Sequence, residues 1–68
     1  MVEIKIDTEF IKLDSFLKFT GAATLGSEAK FYIQNGDVKV NGEVEIRRGR
    51  KLYQSDRIKF QEEEYIIV

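Results

Sequence analysis

The chain has 68 residues and a formal net charge of −1, from 11 basic and 12 acidic side chains. This length suits one small domain, and the 43% of apolar residues, with five Phe and three Tyr, suffice for its core. Cys and His are absent, which excludes disulfides, zinc–thiolate sites, thiol nucleophiles and histidine-based acid–base catalysis.

The first third of the chain predicts a strand followed by a helix. Apolar and charged residues alternate over residues 2–6, which is typical of a half-buried strand. Beyond this strand, apolar side chains recur at spacings of three and four, and they predict a helix that ends at Gly21. Two starts compete, because either Thr8 or Asp14 can cap free backbone N–H groups. The apolar positions are Phe10, Leu13, Phe16 and Leu17.

A second helix is bounded by a start signal and a stop signal. Ser27 is a good N-cap residue, and Gly36 supplies the left-handed conformation that commonly closes a helix. We therefore predict a helix from Ser27 to Asn35. Phe31 falls beside its apolar face, and either covers the sheet edge or stacks on a base.

The second half of the chain predicts strands. Asn41-Gly42 is the strongest short signal for a type I′ turn, and the alternation around it predicts a hairpin over residues 37–46. Apolar residues predict further strands at Leu52, at residues 58–60 and at residues 65–68. The predicted order is β-α-α-β-β-β-β. It defines a single α+β domain, residues 1–68, with two helices packed on a small, mostly antiparallel sheet.

Positive charge is concentrated in the middle of the chain. Residues 12–51 carry eight basic and five acidic side chains, net +3, whereas the segments 1–11 and 52–68 each carry net −2. Four of the basic residues lie within Arg47 to Lys51, and such clusters often bind phosphate. The alternative is that Arg47 and Arg48 pair with Glu43 or Glu45 across the hairpin. If the second helix packs beside the hairpin, Lys30 and Lys39 flank this cluster.

Other kinds of site find little support. The run Glu62-Glu63-Glu64 is better explained as a solvated turn than as a metal site, because adjacent side chains point in different directions. No nucleotide-binding Gly-rich loop is present. We expect no catalytic residue, no cofactor and no metal. The longest apolar stretch, Tyr65 to Val68, is too short to span a membrane, and no signal peptide is evident, so we expect a cytoplasmic protein.

The stretch from Lys12 to Ile58 resembles the S-four-like RNA-binding domain with its alpha-L motif. The matching residues are Lys12-Leu13-Asp14, Leu17, Ser27, Ala29, Ile33, Gly36, Val38, Val40-Asn41-Gly42, Asp56 and Ile58. The run from Val40 to Leu52 is most similar to the small stand-alone bacterial members of the YaaA and YbcJ type. The resemblance implies that two helices and a hairpin form one RNA-facing surface.

The chain departs from the family pattern at several positions. Lys12 stands where members usually have Arg, and Gly26 stands where a basic residue often precedes the Ser of the second helix. Gln34 and Asn35 occupy positions where basic residues or His are common, so the helical part of the surface is less basic than usual. Ser55 replaces a usual Gly.

The leading hypothesis is a monomeric, non-catalytic module that binds structured RNA, such as ribosomal RNA, mainly through phosphate contacts. The rival hypothesis is a protein-interaction module whose basic loop docks on an acidic partner, with the first or last strand adding sheet pairing. The candidate RNA-binding residues are Lys12, Ser27, Lys30, Lys39, Asn41, Arg47, Arg48, Arg50 and Lys51.

Overall fold

The computed structural model describes residues 1–68 as seven strands and two helices. In chain order these are β1 Val2–Ile4, β2 Ile11–Lys12, α1 Leu13–Phe19, α2 Gly26–Gln34, β3 Val38–Val40, β4 Glu43–Val44, β5 Lys51–Leu52, β6 Arg57–Phe60 and β7 Glu63–Ile67. Five strands form one sheet in the order β1-β7-β6-β3-β4. Only the β1–β7 pair is parallel. The predicted α+β class with a mostly antiparallel sheet is therefore confirmed.

The strands β2 and β5 form a separate antiparallel ribbon. The predicted order had no counterpart of β2, because its two residues lie inside an apolar pattern of helical spacing. It also counted four strands after the helices, whereas the structure has five. In the structure, Ile11 is paired with Leu52 and Lys12 with Lys51. The ribbon brings the chain just before α1 next to the segment that follows the hairpin.

Both helices lie on one face of the five-stranded sheet. Along β3 and β6 the buried residues alternate with exposed ones, as a pleated strand requires when one face is covered. The buried members belong to a single core of 13 residues that also includes five apolar residues of the two helices. The largest fully buried side chains are those of Phe16, Phe60, Leu13, Leu17 and Ile33. The opposite face of the sheet, here called the outer face, carries no helix.

Helix α1 begins at Leu13, so neither of the predicted starts is correct. The backbone N–H of Leu13 donates to the carbonyl of Arg50 at 2.9 Å, and that of Asp14 donates to the carbonyl of Arg48 at 3.1 Å. These carbonyls satisfy two of the N–H groups that every helix leaves free at its start. Thr8 lies well before the helix, and Asp14 lies within its first turn. Capping by a segment distant in sequence leaves no local signal.

Helix α2 begins at Gly26, one residue before the predicted N-cap Ser27. The carboxylate of Glu28 accepts hydrogen bonds from the hydroxyl of Thr24 at 2.6 Å, from its N–H at 2.9 Å and from the N–H of Leu25 at 3.2 Å. These bonds lower the pKa of Glu28, chiefly through the Thr24 hydroxyl. Ser27 therefore has no capping role and lies exposed in the first turn.

Both helices end within two residues of the predicted positions. Thr20 and Asn35 are the C-caps, and Gly21 and Gly36 follow them. The N–H of Thr20 still donates to the carbonyl of Phe16 at 3.0 Å, which closes the last turn of α1. Composition and spacing therefore located the ends of the helices better than their starts.

The hairpin of β3 and β4 has the predicted turn. Asn41 and Gly42 both have positive φ, 52° and 89°, as a type I′ turn requires. The Asn41 side chain also forms hydrogen bonds with the residues at the start of β6. Its Nδ2 donates to Asp56 Oδ1 at 3.1 Å, and its Oδ1 accepts from the backbone N–H of Arg57 at 2.9 Å. Asp56 in turn accepts from the N–H of Tyr53 at 2.8 Å. Asn41 therefore links the hairpin to the start of β6.

The last strand is not available to a partner. β7 lies between β1 and β6 and pairs with both, so the prediction that it could extend a partner's sheet is wrong. β1 does lie at an edge of the sheet. Neither helix has the length and apolar composition needed to cross a membrane.

Candidate nucleic-acid interface

The segment Arg47 to Lys51, here called the basic loop, is held against the start of α1. The carbonyls of Arg48 and Arg50 accept the first N–H groups of that helix, and Lys51 continues into β5. In the ribbon, Lys51 lies directly opposite Lys12, so these two exposed lysines are neighbours although they are 39 positions apart in the sequence. The structure therefore brings Lys12 together with the predicted basic cluster.

Two of the four cations in the basic loop are paired inside the protein. Glu45 is the one buried charged residue. Its carboxylate forms ion pairs with two arginines, accepting hydrogen bonds from Arg47 Nε at 3.0 Å and from Arg50 Nη1 at 2.8 Å. The hydrogen bonds from Arg47, followed by that from Arg50, lower the pKa of Glu45 to about 2. The rival interpretation, that the arginines pair across the hairpin, is thus correct for Arg47 with Glu45 but not for Arg48.

The pairing leaves the four cations in different states. The Arg47 side chain is 73% exposed and can reach a ligand while it contacts Glu45, whereas the Arg50 side chain is only 31% exposed. Arg48 and Lys51 are exposed and form no ion pair. Arg50 therefore shapes the loop, and Arg48 and Lys51 present unneutralised charge.

Two aromatic rings lie beside these lysines on the outward face of the ribbon. Because Ile11 and Leu52 point to the core, the flanking residues of both strands point outward. The Lys51 Nζ lies 4.8 Å from the centre of the Phe10 ring, and that ring is 6.0 Å from the ring of Tyr53. Tyr53 is 43% exposed. This set, Phe10, Lys12, Lys51 and Tyr53, is called the ribbon surface below.

The sequence interpretation missed both aromatic members of the ribbon surface. Phe10 has helical spacing to Leu13, which predicts a position on the helix, and Tyr53 lies in a segment with net negative charge. The sequence does contain a signal for this pair of strands, which is the alternation of side-chain type over three residues. In Phe10-Ile11-Lys12 and in Lys51-Leu52-Tyr53, one apolar residue lies between an aromatic and a basic residue.

The start of α2 carries a second group of candidates. Ser27 and Lys30 are both exposed. The Lys18 Nζ, from α1, lies 4.0 Å from the point that a Cβ of Gly26 would occupy. The family often has a basic residue at the position of Gly26. Here Gly26 has no side chain, but the ammonium group of Lys18 lies beside it. Phe31 is 62% exposed, and its ring contacts that of Tyr32 edge-to-face, with the ring centres 5.7 Å apart.

Lys39 and Asn41 are placed apart from the other candidates. Val38 and Val40 point into the core, so Lys39 between them points away from the helices, on the outer face. Lys39 therefore does not flank the basic loop together with Lys30. The Asn41 amide is engaged with Asp56 and with the backbone of β6.

Two short helices on one face of a small sheet, with a basic loop held at the start of the first helix, define the S4-like class of small domains. A family model described as S4 domain matches residues 4–68, and the chain belongs to this family.

Two similar proteins make the comparison more specific. The chain is 43% identical over 58 residues to the "Probable ribosome maturation protein RlbA" of Bacillus subtilis (strain 168), a match covering 85% of this chain and 82% of that protein. It is also similar to the solution structure of YbcJ from E. coli, with a TM-score of 0.75 and 29% identity over 100% of this chain and 87% of that one. That structure is described as revealing an alphaL motif involved in RNA binding. The predicted family and the stand-alone subgroup are therefore confirmed.

Proposed function

We propose that this protein is a non-catalytic module that binds structured RNA, mainly through phosphate contacts, with the ribbon surface and the basic loop as its principal site. The observation that carries the proposal is the combination of exposed cations with exposed aromatic rings on one side of the ribbon. Phosphate groups bind cations, and bases stack on rings, so this combination matches the two parts of a nucleotide.

The cations of this site are available for a ligand. The ion pairs of the protein are those of Glu45 with Arg47 and Arg50, so Lys12, Arg48 and Lys51 have no acidic partner. Phosphate binding by such groups releases counterions and dominates affinity for nucleic acids. Arg47 adds a further contact through the exposed part of its guanidinium. Arg50 acts by holding the loop.

The rings give the site a preference for bases that are accessible. Tyr53 offers a ring face to an unpaired base, and stacking of this kind contributes about 1–3 kcal/mol per base. Duplex RNA hides its base faces, whereas loops, bulges and ends expose them. We therefore infer a ligand that combines a helical segment with unpaired nucleotides, as ribosomal RNA does. The ribosome maturation role in the relative's name supports that ligand.

The helical group adds a second arm to this site. Lys18 supplies the charge beside Gly26, and Lys30 and the hydroxyl of Ser27 are exposed on the same helix start. The hydroxyl can donate to a phosphate oxygen or to a 2′-OH. We infer that this arm adds contacts to the bound RNA. We also propose that the protein binds RNA as a monomer in the cytoplasm.

Salt dependence of binding tests the proposal. Affinity for a fluorescent RNA hairpin with a single-stranded loop is measured between about 50 and 200 mM salt. About four phosphate contacts give a log–log slope steeper than about −3. The double variant Arg48→Gln/Lys51→Gln should reduce the magnitude of the slope by about 2, since each lost phosphate contact removes roughly 1.

Two further variants separate the contributions. Tyr53→Ala should weaken binding to the hairpin about tenfold but leave the salt slope unchanged, because stacking releases no counterions. Lys5→Gln removes one exposed charge at the far edge of the sheet and serves as the control. A flat salt response of the unmodified protein, or equal slopes for the Arg48→Gln/Lys51→Gln variant and the unmodified protein, contradicts the proposal.

One observation favours a second function, docking on a partner protein. β1 pairs on one side only, so its other edge can accept a strand from a partner. A complex isolated from lysate that survives ribonuclease treatment, together with no RNA binding by the purified protein, would identify this function instead.

A further inference from the structure

The outer face of the sheet carries a compact basic cluster. Lys39 of β3 and Lys59 of β6 are direct cross-strand partners, so their side chains project side by side. Arg57 lies two residues before Lys59 on the same strand and therefore points to the same face. A surface groove is lined by these three residues together with Asn41, Gly42, Ile58 and Glu64. We call Lys39, Arg57 and Lys59 the outer-face cluster.

The protein does not neutralise this cluster. None of its three members forms an ion pair within 4.0 Å, although Glu64 lies directly opposite Lys59 on β7. Glu64 is the one acid in the groove, and the strand register places Glu3 on the same face, so the three cations leave an excess of one positive charge over the face. Like charges directly opposite each other destabilise a sheet. The fold thus maintains an unfavourable arrangement that an external anion would relieve.

The composition of the face indicates what kind of anion fits. The other residues that the strand register places on it are Glu3, Val44, Glu64 and Ile66, none of them aromatic. Protein–protein interfaces have a core that is poor in charge, and they are depleted in Lys. Interfaces with nucleic acids are polar and strongly positive. A phosphate backbone therefore fits this face better than a partner protein does, and the lack of rings indicates contact without base stacking.

We propose that the outer-face cluster is a second RNA-contacting surface, separate from the ribbon surface and the basic loop, and that the protein bridges two RNA segments. This inference rests on the proposed RNA-binding function. The cluster points away from the helices, whereas the basic loop is fixed to the start of α1. Because the two surfaces lie on different sides of a molecule of about 26 × 21 × 18 Å, each contacts its own stretch of phosphates.

Stoichiometry and bridging test the inference. Sedimentation of the protein with excess of a short RNA hairpin at low salt should show two hairpins per chain. An immobilised hairpin that has captured the protein should then recruit a second, labelled hairpin. The triple variant Lys39→Gln/Arg57→Gln/Lys59→Gln should bind one hairpin and lose recruitment by about tenfold or more. Because all three side chains are exposed, the variant should melt at or above the temperature of the unmodified protein.

Controls make each outcome decisive. Lys5→Gln should retain two hairpins per chain and full recruitment. A single hairpin per chain for the unmodified protein, or two for the triple variant, overturns the bridging proposal while the proposed function stands. Absence of any RNA binding by the unmodified protein overturns both. If the triple variant keeps both hairpins but loses binding to polyglutamate, the cluster is a site for an acidic protein and the RNA assignment is wrong.

Discussion

Replacing Glu45 with Gln tests whether the buried carboxylate holds the basic loop. Its pKa is lowered from an ordinary 4.5 to about 2, which corresponds to about 3 kcal/mol of stabilisation at neutral pH. The Arg47 side chain is 73% exposed, and solvent screens its part of this interaction. We therefore expect the variant to lose about 2 kcal/mol. For a domain of this size the melting temperature should fall by about 8–16 °C.

The pH dependence of the loss identifies its cause. A carboxyl group whose pKa is lower in the folded state stabilises the fold above its unfolded pKa, and this stabilisation disappears as the pH falls through the folded value. For Glu45 the window runs from 4.5 down to about 2. The unfolding free energies of the two proteins, measured by urea titration at pH 7, 4, 3 and 2.5, should therefore converge as the pH decreases.

Glu43→Gln is the matched control for this experiment. Glu43 lies two residues earlier, is exposed and forms no ion pair, so its replacement should change stability by less than about 0.5 kcal/mol. A Glu45→Gln loss that stayed constant between pH 7 and pH 2.5 would show that shape, not charge, is responsible. A loss no larger than that of the control would refute the structural role of the pair.

Three substitutions on the sheet and its turns are predicted from backbone conformation and charge, and urea titration measures each. Asn41→Ala should lower the free energy of unfolding by about 1–3 kcal/mol, because Asp56 and a backbone N–H of β6 lose their hydrogen-bond partner. Ser55→Gly should raise it by about 1 kcal/mol, since Ser55 has a φ of +78° that glycine adopts without strain; a lower value would refute strain at this turn. Lys39→Gln should raise it by about 0.2–1 kcal/mol by removing the repulsion with Lys59, because the other cross-strand partner of Lys39, Val44, is uncharged; an unchanged value at low salt would contradict that repulsion.

The elements that sequence predicted well are those with local causes. The hairpin turn depends on two adjacent residues that tolerate positive φ, and the helix ends depend on a glycine that follows the last turn. The starts of both helices were wrong for different reasons. For α2, the carboxylate of Glu28 in the first turn accepts hydrogen bonds from the backbone N–H groups of Thr24 and Leu25, and the predicted cap, Ser27, makes no capping hydrogen bond. For α1, the capping groups belong to a loop more than 30 residues away, and no pattern near the helix records them.

The candidate site was predicted only in part, because charge was counted along the chain and not across the sheet. Counting by segment found the basic loop but assigned Arg57 and Lys59 to an acidic region. Strand pairing then places both beside Lys39. The same pairing places Tyr53 beside Phe10. Each of these groupings depends on register between strands, which a single sequence does not specify.

The contact between the basic loop and α1 also constrains when the protein folds. α1 has seven residues, well below the roughly 12–15 that an isolated helix needs to persist in water. Its first N–H groups have their acceptors at Arg48 and Arg50. During synthesis the helix therefore gains lasting structure only after residue 50 has emerged, so that nearly three quarters of the chain must be available before its first helix is stable.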